Sequence, residues 1–397
     1  MRKIAATYIF PVSSPPLKNG ILILGNNGEI VDLIDTKGHL TEQAGLEYYN
    51  GILVPGFINC HCHLELSHLK NKIDRGSGLG EFIGAVNKLR FVEEEIVMNA
   101  ARNADAEMWK NGIVAVGDVS NGFTSLEIKR ESKLDYYTFV EVFGFLSERA
   151  ERAFKMAGEI YRRCESLGLK ASIVPHSPYS VSGELFGLIR AHAEKNKGLI
   201  SIHNQESKAE NFFFLTGEGE IAGHLQNNIG LNISGWKPTG KNSLPSVLDK
   251  IPEKNQLLLV HNTFTAEDDI RFLKEKRDIC RVFFVLCPNA NLYISKSLPP
   301  VGLFRSQNLN LCFGTDSLAS NSQLSIVAEM HTIQENFKET GFNEILTWAT
   351  LNGARALKMN RWLGSFEKGK RPGVNLLVKT NLHQLKLTPE TRVQRLA

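Results

Sequence analysis

Eight short apolar segments separated by helical patterns are the feature of this sequence that most limits its fold. Each segment has the length of a buried strand, and helical spacing of apolar residues is clearest at residues 94–110, 149–167 and 323–340. Strands that alternate with helices form parallel sheets, because each helix packs on a sheet face and returns the chain to the same edge. Eight such units predict a (β/α)8 TIM barrel of the α/β class. The predicted strands are residues 56–61, 113–118, 137–142, 171–176, 199–203, 256–261, 282–287 and 310–316.

Strand patterns also occur at both ends of the chain, outside the barrel segments. Residues 21–24 and 30–34 flank Gly25-Asn-Asn-Gly28, which is typical of a β-hairpin. Residues 374–379 form another extended segment near the C-terminus. We expect these strands to pair in a small β-sandwich domain built from both chain termini. The predicted division gives residues 1–54 and 365–397 to this small domain and residues 55–364 to the barrel.

Composition and charge argue against several classes of protein. The chain has 397 residues, 42% hydrophobic and 22% charged, which is the composition of a soluble globular protein. The formal charge of +4 is spread along the sequence without a basic block, which argues against nucleic acid as a partner. No apolar run approaches the ~18 residues of a membrane span, so we expect neither a membrane segment nor a signal peptide. Six cysteines without a disulfide pattern favour a reducing, cytoplasmic location.

Polar side chains stand at the carboxyl ends of several predicted strands, where barrel enzymes carry their active sites. His61 and His63 are two residues apart on the first strand, so both imidazoles leave the same face. His203 ends the fifth strand and Asp316 the eighth. One strand-end histidine is more often a hydrogen-bonded structural residue. Three imidazoles and one carboxylate at the same end of a barrel match a zinc-type ligand set with room for water, and iron accepts the same ligands.

Two further residues are candidates for proton transfer and charge stabilisation. Glu206 lies three residues beyond His203 and can take a proton from metal-bound water and return it to a leaving group. The alternative is a carboxylate that only begins a helix, where the helix dipole favours it. His261 can hydrogen-bond a metal hydroxide or a developing oxyanion, and its alternative role is to orient a neighbouring group.

These segments together resemble the amidohydrolase superfamily, from Val54 to Lys370. The fourth strand ends without the lysine that bridges two metals in binuclear members, which is similar to the mononuclear aminohydrolase subgroup of deaminases and chlorohydrolases. After Lys370 the chain departs from the pattern, because Arg371-Pro-Gly-Val stands where many members have Ala-Asp-Leu or Ala-Asp-Ile. The matching motifs are Pro55-Gly-Phe-Ile-Asn-Cys-His-Cys-His63, Ile173-Val-Pro-His-Ser-Pro-Tyr-Ser180, His203-Asn-Gln-Glu206, His261-Asn262 and Gly314-Thr-Asp-Ser-Leu-Ala-Ser-Asn321.

The resemblance implies a role for each of these site residues. Glu206 would protonate a ring nitrogen of the substrate and shuttle protons, while His261 and Asp316 orient and activate the attacking hydroxide. One divalent metal ion, Zn²⁺ or else Fe²⁺, would be held by His61, His63, His203 and Asp316. Substrate contacts would come from His176, Glu65 and Ser317. A structural hydrogen bond is the alternative for His176, and a surface ion pair is the alternative for Glu65.

The implied reaction is the hydrolytic deamination of an amino-substituted heterocycle or nucleoside, most readily of adenosine type. Metal-bound hydroxide would attack the ring carbon, and ammonia would leave. The segment His63-Leu-Glu-Leu-Ser-His68 is similar to the aminodeoxyfutalosine deaminase-like branch, and adenosylhomocysteine deaminases form a related branch. The alternatives are a cyclic amide hydrolase or chlorohydrolase with the same mononuclear site, and a non-catalytic relative. The expected partner is a small-molecule substrate, and a homodimer is expected only by analogy.

Overall fold

The computed structural model describes residues 1–397, and it contains fifteen strands and fourteen α-helices. In chain order the strands are β1 (Arg2–Ile9), β2 (Leu17–Lys18), β3 (Ile21–Leu24), β4 (Ile30–Ile34), β5 (Leu46–Pro55), β6 (Phe57–Cys62), β7 (Ile113–Ser120), β8 (Asp135–Val142), β9 (Lys170–Pro175), β10 (Ile200–Asn204), β11 (Leu257–His261), β12 (Val282–Leu286), β13 (Asn310–Phe313), β14 (Val374–Val378) and β15 (Arg392–Arg395).

The helices lie mainly between the strands β6 to β13 and directly after them. They are α1 (Leu79–Leu89), α2 (Glu94–Lys110), α3 (Leu126–Glu131), α4 (Ala150–Ser166), α5 (Gly183–Asn196), α6 (Lys208–Thr216), α7 (Glu220–Gly223), α8 (Ser243–Val247), α9 (Glu267–Lys276), α10 (Pro288–Ser295), α11 (Val301–Ser306), α12 (Ile326–Asn336), α13 (Phe342–Thr347) and α14 (Gly353–Ala356). None of these helices combines the length and apolar character that crossing a membrane requires.

The eight predicted barrel strands are present as two parallel sheets of four strands each. Strands β6 to β9 form one sheet and β10 to β13 form the other, each in chain order. Nearly every residue in these strands is buried, because helices cover the sheets, and this explains their continuous apolar sequences. Hydrogen bonds link the sheets where strands end: the His203 N–H donates to the His176 carbonyl at 2.9 Å, and the Asp316 N–H donates to the His61 carbonyl at 3.0 Å. Closure into a complete barrel stays a prediction.

Both chain termini contribute to one further sheet, as the strand patterns at the two ends predicted. Its strand order is β15-β14-β5-β1-β3-β4, and the short β2 pairs with β1. Strand β14 runs antiparallel to β5, with Val374 opposite Pro55. The sheet therefore joins residues more than 300 positions apart in the sequence. The sandwich form of this unit and its boundaries at residues 54 and 365 stay predictions.

Gly56 connects the terminal sheet to the first barrel strand at a point with no room for a side chain. A Cβ atom at this position would lie 2.2 Å from Val114 Cγ1 and 2.5 Å from the Pro372 carbonyl oxygen. Glycine therefore allows the two sheets to meet closely, and this contact fixes the strand that leads to His61.

Candidate active site

A cavity of about 340 Å³ opens at the carboxyl ends of the barrel strands. It contains all the predicted catalytic residues and all but one of the predicted metal ligands, His61, which lies fully buried behind it. A larger groove of about 770 Å³, between α12 and the C-terminal residues, contains none of the predicted site residues. The chemistry of the lining therefore identifies the smaller cavity as the candidate active site.

The two histidines of the first barrel strand meet the carboxylate that follows the last one. His61 Nε2 lies 3.1 Å from His63 Nε2. Asp316 Oδ1 lies 3.7 Å from His61 Nε2 and 3.5 Å from His63 Nε2. The Ser317 N–H donates to Asp316 Oδ1 at 2.7 Å and the Ser320 hydroxyl donates to Oδ2 at 2.7 Å, so the carboxylate orientation is fixed. These three residues form a compact group whose ligand atoms lie within 4.8 Å of one another.

His203 and His261 form a second group of the same kind with His61. His203 Nδ1 donates to the His176 carbonyl at 2.8 Å, which leaves Nε2 as its free ligand atom. His261 Nδ1 accepts a hydrogen bond from the Asn291 amide at 3.1 Å, so its proton lies on Nε2. His61 is common to both groups. The structure thus brings the four predicted ligands together and places His261 beside them.

These side chains have the properties that a divalent metal ion requires. Burial lowers the pKa of the His61 and His261 imidazoles well below their usual value, that of His63 to about 3 and that of His203 to about 4. The imidazoles are therefore neutral and present lone pairs. Two nitrogen ligands of one tetrahedral zinc ion are roughly 3.3 Å apart, close to the separation of His61 and His63. His61 Nε2 and His63 Nε2 lie 3.1 Å apart, and two neutral imidazoles at this separation present lone pairs that one metal ion would bind. The donor set fits one divalent metal ion.

Glu206 faces the same cavity from the end of β10. Its Oε1 lies 3.6 Å from His261 Nε2, and burial raises the pKa of its carboxyl well above the usual value. The backbone before it is fixed, because the carboxylate of Glu210 accepts hydrogen bonds from the N–H groups of Gln205 at 2.9 Å and Glu206 at 3.2 Å. A carboxyl group whose pKa is raised and that is held beside an imidazole is suited to donate a proton to a bound molecule.

The three predicted substrate contacts have different environments. His176 lines the cavity, and its Nδ1 lies 2.8 Å from the Ser180 hydroxyl. Ser317 also lines the cavity, although its hydroxyl bonds to that of Ser320 at 3.2 Å. Glu65 is outside the lining, where its carboxylate accepts from the Asn121 N–H and the Ser125 hydroxyl, both at 3.0 Å. The role of Glu65 as a substrate contact stays a prediction that this placement does not favour.

Several polar residues of the cavity were not predicted from the sequence, among them Arg90, Asn121 and Glu141. Glu141 is the last residue but one of β8, and burial raises its pKa to about 7. A charged residue at the end of a buried strand is the same signal that identified His203 and Asp316, so this residue could have been found. Arg90 directly follows α1 and Asn121 directly follows β7, where the sequence has no comparable pattern.

The long connection between β10 and β11 covers one side of the cavity. It contains α6, α7, a π-helical turn at His224–Asn228 and α8. His224, Leu225 and Ile229 from the π-helical turn and the residue after it line the cavity. Leu225 and Ile229 of this segment thus add apolar surface to a cavity that is lined by histidines and carboxylates at the strand ends.

Comparison with known proteins places this geometry in a family. The sequence profile of the amidohydrolase family matches residues 52–390. An adenosine deaminase of Helicobacter pylori is 28% identical over 333 residues, which are 83% of this chain and 79% of that protein.

Solved structures have the same fold at lower sequence identity. The crystal structure of Helicobacter pylori aminofutalosine deaminase in complex with methylthio-coformycin has a TM-score of 0.79 and 22% identity, covering 95% of this chain and 92% of that one. An adenosine deaminase from Xanthomonas campestris with bound zinc has a TM-score of 0.74 and 22% identity, covering 96% and 85% of the two chains. These likenesses establish an α/β fold of the TIM-barrel type. The chain belongs to the amidohydrolase family.

Proposed function

We propose that this protein is a metal-dependent hydrolase that deaminates an adenosine-type nucleoside. The single observation that carries the proposal is the placement of the buried acid Glu206 in one cavity with the neutral histidines and the carboxylate of Asp316. The names of the relatives, which are deaminases of adenosine and of an aminofutalosine, support this substrate class. The zinc in the Xanthomonas campestris structure supports zinc as the metal.

The proposed ligands of the metal are His61, His63, His203 and Asp316. When bound, a divalent metal lowers the pKa of a coordinated water to about 7 and so supplies hydroxide at neutral pH. The remaining chemistry belongs to the side chains around it. A ring carbon that carries an amino group is a weak electrophile, and it becomes stronger when the adjacent ring nitrogen accepts a proton.

Glu206 is the proposed source and carrier of that proton. Its carboxylic acid donates to the ring nitrogen, the oxygen of the hydroxide forms a bond to the ring carbon, and the carbon becomes tetrahedral. The resulting carboxylate takes the proton of the added hydroxyl and delivers it to the amino nitrogen. The carbon–nitrogen bond then breaks, ammonia leaves and the ring keeps a carbonyl oxygen. Such acid–base catalysis contributes ~10²–10⁴ in rate.

His261 is the proposed partner of the oxygen that is added. Its Nδ1 accepts from Asn291, so the N–H on Nε2 points into the region where Glu206 Oε1 lies 3.6 Å away. An N–H fixed in this way stabilises negative charge that develops on the oxygen, because the donor needs no reorientation during the reaction.

The test is ammonia release from a panel of amino-heterocycles and nucleosides by the metal-loaded protein, followed by the same assay on Glu206→Gln. We expect the variant to bind as much zinc as the wild type and to lose ~10²–10⁴ in kcat. Glu218→Gln is the matched control, because Glu218 is an exposed carboxylate of the same connection. Full-rate ammonia release by Glu206→Gln would contradict the mechanism. Ring opening or chloride release without ammonia would favour the alternative hydrolase activities.

A further inference from the structure

Glu141 has a buried carboxylate with unused hydrogen-bonding capacity at the wall of the cavity. Its side chain is 3% exposed. Oε2 accepts a hydrogen bond from the Asn121 amide at 3.0 Å. Oε1 lies 3.5 Å from His203 Nδ1, and the proton of that nitrogen already goes to the His176 carbonyl at 2.8 Å. Oε1 therefore accepts no hydrogen bond from this histidine, and Glu141 lines the cavity.

Arg90 is half-buried, and its guanidinium group also has unused hydrogen-bonding capacity. It lines the cavity from the C-terminal end of α1, and its Nη2 donates to the Asn121 side-chain oxygen at 3.2 Å. It belongs to none of the ion pairs of the chain. A guanidinium has five N–H donors, so most of its donors remain available to a bound molecule.

Asn121 holds these two charges side by side without allowing them to pair. Its amide accepts from Arg90 and donates to Glu141, and its backbone N–H is anchored to Glu65 Oε2 at 3.0 Å. Glu141 is buried and Arg90 is half-buried, yet the two do not form the ion pair that commonly satisfies a buried carboxylate. The separation leaves an acceptor and several donors next to each other in the lining of the cavity. We call Arg90, Asn121 and Glu141 the polar wall.

Apolar residues from α1 and from the connection after β10 complete the cavity beside the polar wall. Leu79, Phe82 and Ile83 come from α1, and Leu225 and Ile229 come from the connection. Glu141 lies on the Nδ1 side of the His203 ring, whereas the free Nε2 serves the proposed metal. The proposed metal and the polar wall are therefore on opposite sides of the His203 ring. A substrate whose reacting ring lies at the metal would contact the polar wall with a group attached to that ring.

We propose that Glu141 and Arg90 bind the vicinal hydroxyls of the ribose and so select nucleosides over free bases and deoxynucleosides. A diol donates two hydrogen bonds to a carboxylate and accepts others from a guanidinium, which matches the free capacity of the polar wall. Hydrogen bonds to charged groups are strong. A substrate without the hydroxyls would leave the buried Glu141 carboxylate without a partner, which costs binding free energy. This inference rests on the proposed function, and it assigns a specificity-determining role to residues that the reaction itself does not use.

The experiment compares kcat/KM for adenosine, 2′-deoxyadenosine, 3′-deoxyadenosine and adenine in the zinc-loaded wild type and in Glu141→Ala. We expect the wild type to prefer adenosine to each deoxynucleoside by roughly 10- to 100-fold, the size of a charged hydrogen bond. In Glu141→Ala the preference should fall to about threefold or less, because the carboxylate that recognises the hydroxyls is gone. The Glu141→Ala change in the protein and the missing hydroxyl in the substrate then form a double-mutant cycle. Either change alone should remove the same hydrogen bond.

Two further variants keep the test independent of folding defects. Arg90→Met should reduce the same preference while zinc content, measured by elemental analysis, stays at the wild-type level. Arg102→Met is the control, because Arg102 is an exposed arginine of α2 outside the cavity, and its preference should equal that of the wild type. If Glu141→Ala lowers kcat/KM for all four substrates equally, or loses zinc without a change in preference, Glu141 acts through His203 and the inference is overturned.

The outcomes for the proposed function are distinct from these. A metal-loaded wild type that releases ammonia from no nucleoside or heterocycle contradicts the proposed function itself. A wild type that deaminates adenosine and 2′-deoxyadenosine with equal kcat/KM leaves the proposed function intact and overturns only the role of the polar wall.

Discussion

Several residues at the ends of the barrel strands have an unusual backbone conformation. Gln205, His261, Asn262 and Asp316 have φ angles of 47°, 72°, 56° and 57°, in the left-handed region that residues other than glycine seldom adopt. Neighbouring strands fix these conformations: the Asn262 N–H donates to the Asn204 carbonyl at 2.9 Å, for example. The chain thus turns as soon as the strand ends, and two of the four residues, His261 and Asp316, line the cavity. Such strained backbone persists where surrounding contacts hold it, commonly at functional sites.

The hydrogen bond from Asn291 to His261 leads to a prediction about catalysis. Replacing Asn291 by Ala removes the donor that keeps the proton of His261 on Nε2, so the imidazole can adopt the other tautomer or rotate. We expect kcat for the preferred nucleoside to fall by about 10- to 100-fold, the usual effect of losing a residue that orients a functional histidine. Asn336→Ala is the control, because Asn336 is exposed and its amide bonds only to the backbone of its own helix. If Asn291→Ala and Asn336→Ala had equal kcat, Asn291 would not be needed to orient His261.

Individual site residues differed in how well the sequence could predict them. His61, His63, His203 and Asp316 were predicted because a polar side chain has no structural reason to end a buried barrel strand. Their roles as ligands stay predictions, although the structure brings the four together. Arg90 could not be found in the same way, since α1 approaches the cavity through a tertiary contact that no local pattern encodes. Glu65 has the sequence context of a site residue, yet it bonds to the Asn121 backbone.

At the scale of elements, periodicity located helices and strands better than it located their ends. The helix predicted at residues 94–110 is α2 without any change, whereas the pattern at 323–340 yields α12 (Ile326–Asn336). This helix begins later because Ser325 caps it, with its hydroxyl accepting from the Ala328 N–H at 3.3 Å. The last barrel strand ends at Phe313 and not at 316, since Gly314 begins the turn that carries Asp316. Capping and turn formation depend on contacts beyond the local pattern.

A buried ion pair between β7 and α3 supports the segment after the first strand, and its loss should destabilise the protein. Lys129 Nζ lies 2.5 Å from Asp118 Oδ2, and neither side chain is exposed. Asp118 Oδ1 also accepts from the Leu64 N–H at 2.8 Å, directly after His63. Lys129→Met leaves the carboxylate buried and unpaired, which should lower the free energy of unfolding by about 3–5 kcal/mol. Urea denaturation at fixed pH measures this change.

The control for this prediction is an ion pair on the protein surface. Arg190 and Glu194 pair at 3.0 Å along α5 with side chains 44% and 50% exposed. Because solvent screens such pairs, Arg190→Met should change the free energy of unfolding by no more than about 0.5 kcal/mol. If Lys129→Met were no more harmful than Arg190→Met, the buried pair would have no stabilising role, and the segment carrying His63 would depend on other contacts.

At the scale of the whole molecule, alternation of strands and helices was enough to predict the α/β fold and all eight barrel strands. The pairing of both termini in one sheet was also predicted from extended segments at the two ends. The order of that sheet was not, because β1 pairs in parallel with β5 and antiparallel with β3. Strand order over such distances depends on which edges are left free when the sheet assembles, and a single sequence does not record this. The proposed division into a barrel and a small domain follows the same two patterns.

The buried carboxyl groups predict how the stability of the metal-free molecule depends on pH. Burial raises the pKa of Glu141 and Glu210 to about 7 and that of Glu329 to about 8, whereas glutamate in an unfolded chain has a pKa of about 4.3. Between about pH 7.2 and 8 the folded state therefore binds more protons than the unfolded state, and the free energy of unfolding should fall as pH rises. The buried histidines, whose pKa values are lowered, oppose this trend closer to their unfolded pKa of about 6.5, and above about pH 7.2 they are mostly neutral in both states. Urea midpoints measured with a chelator at pH 7.2, 7.6 and 8.0 should decrease in that order. A constant or rising midpoint would mean that the hydrogen bonds to these carboxylates outweigh their burial.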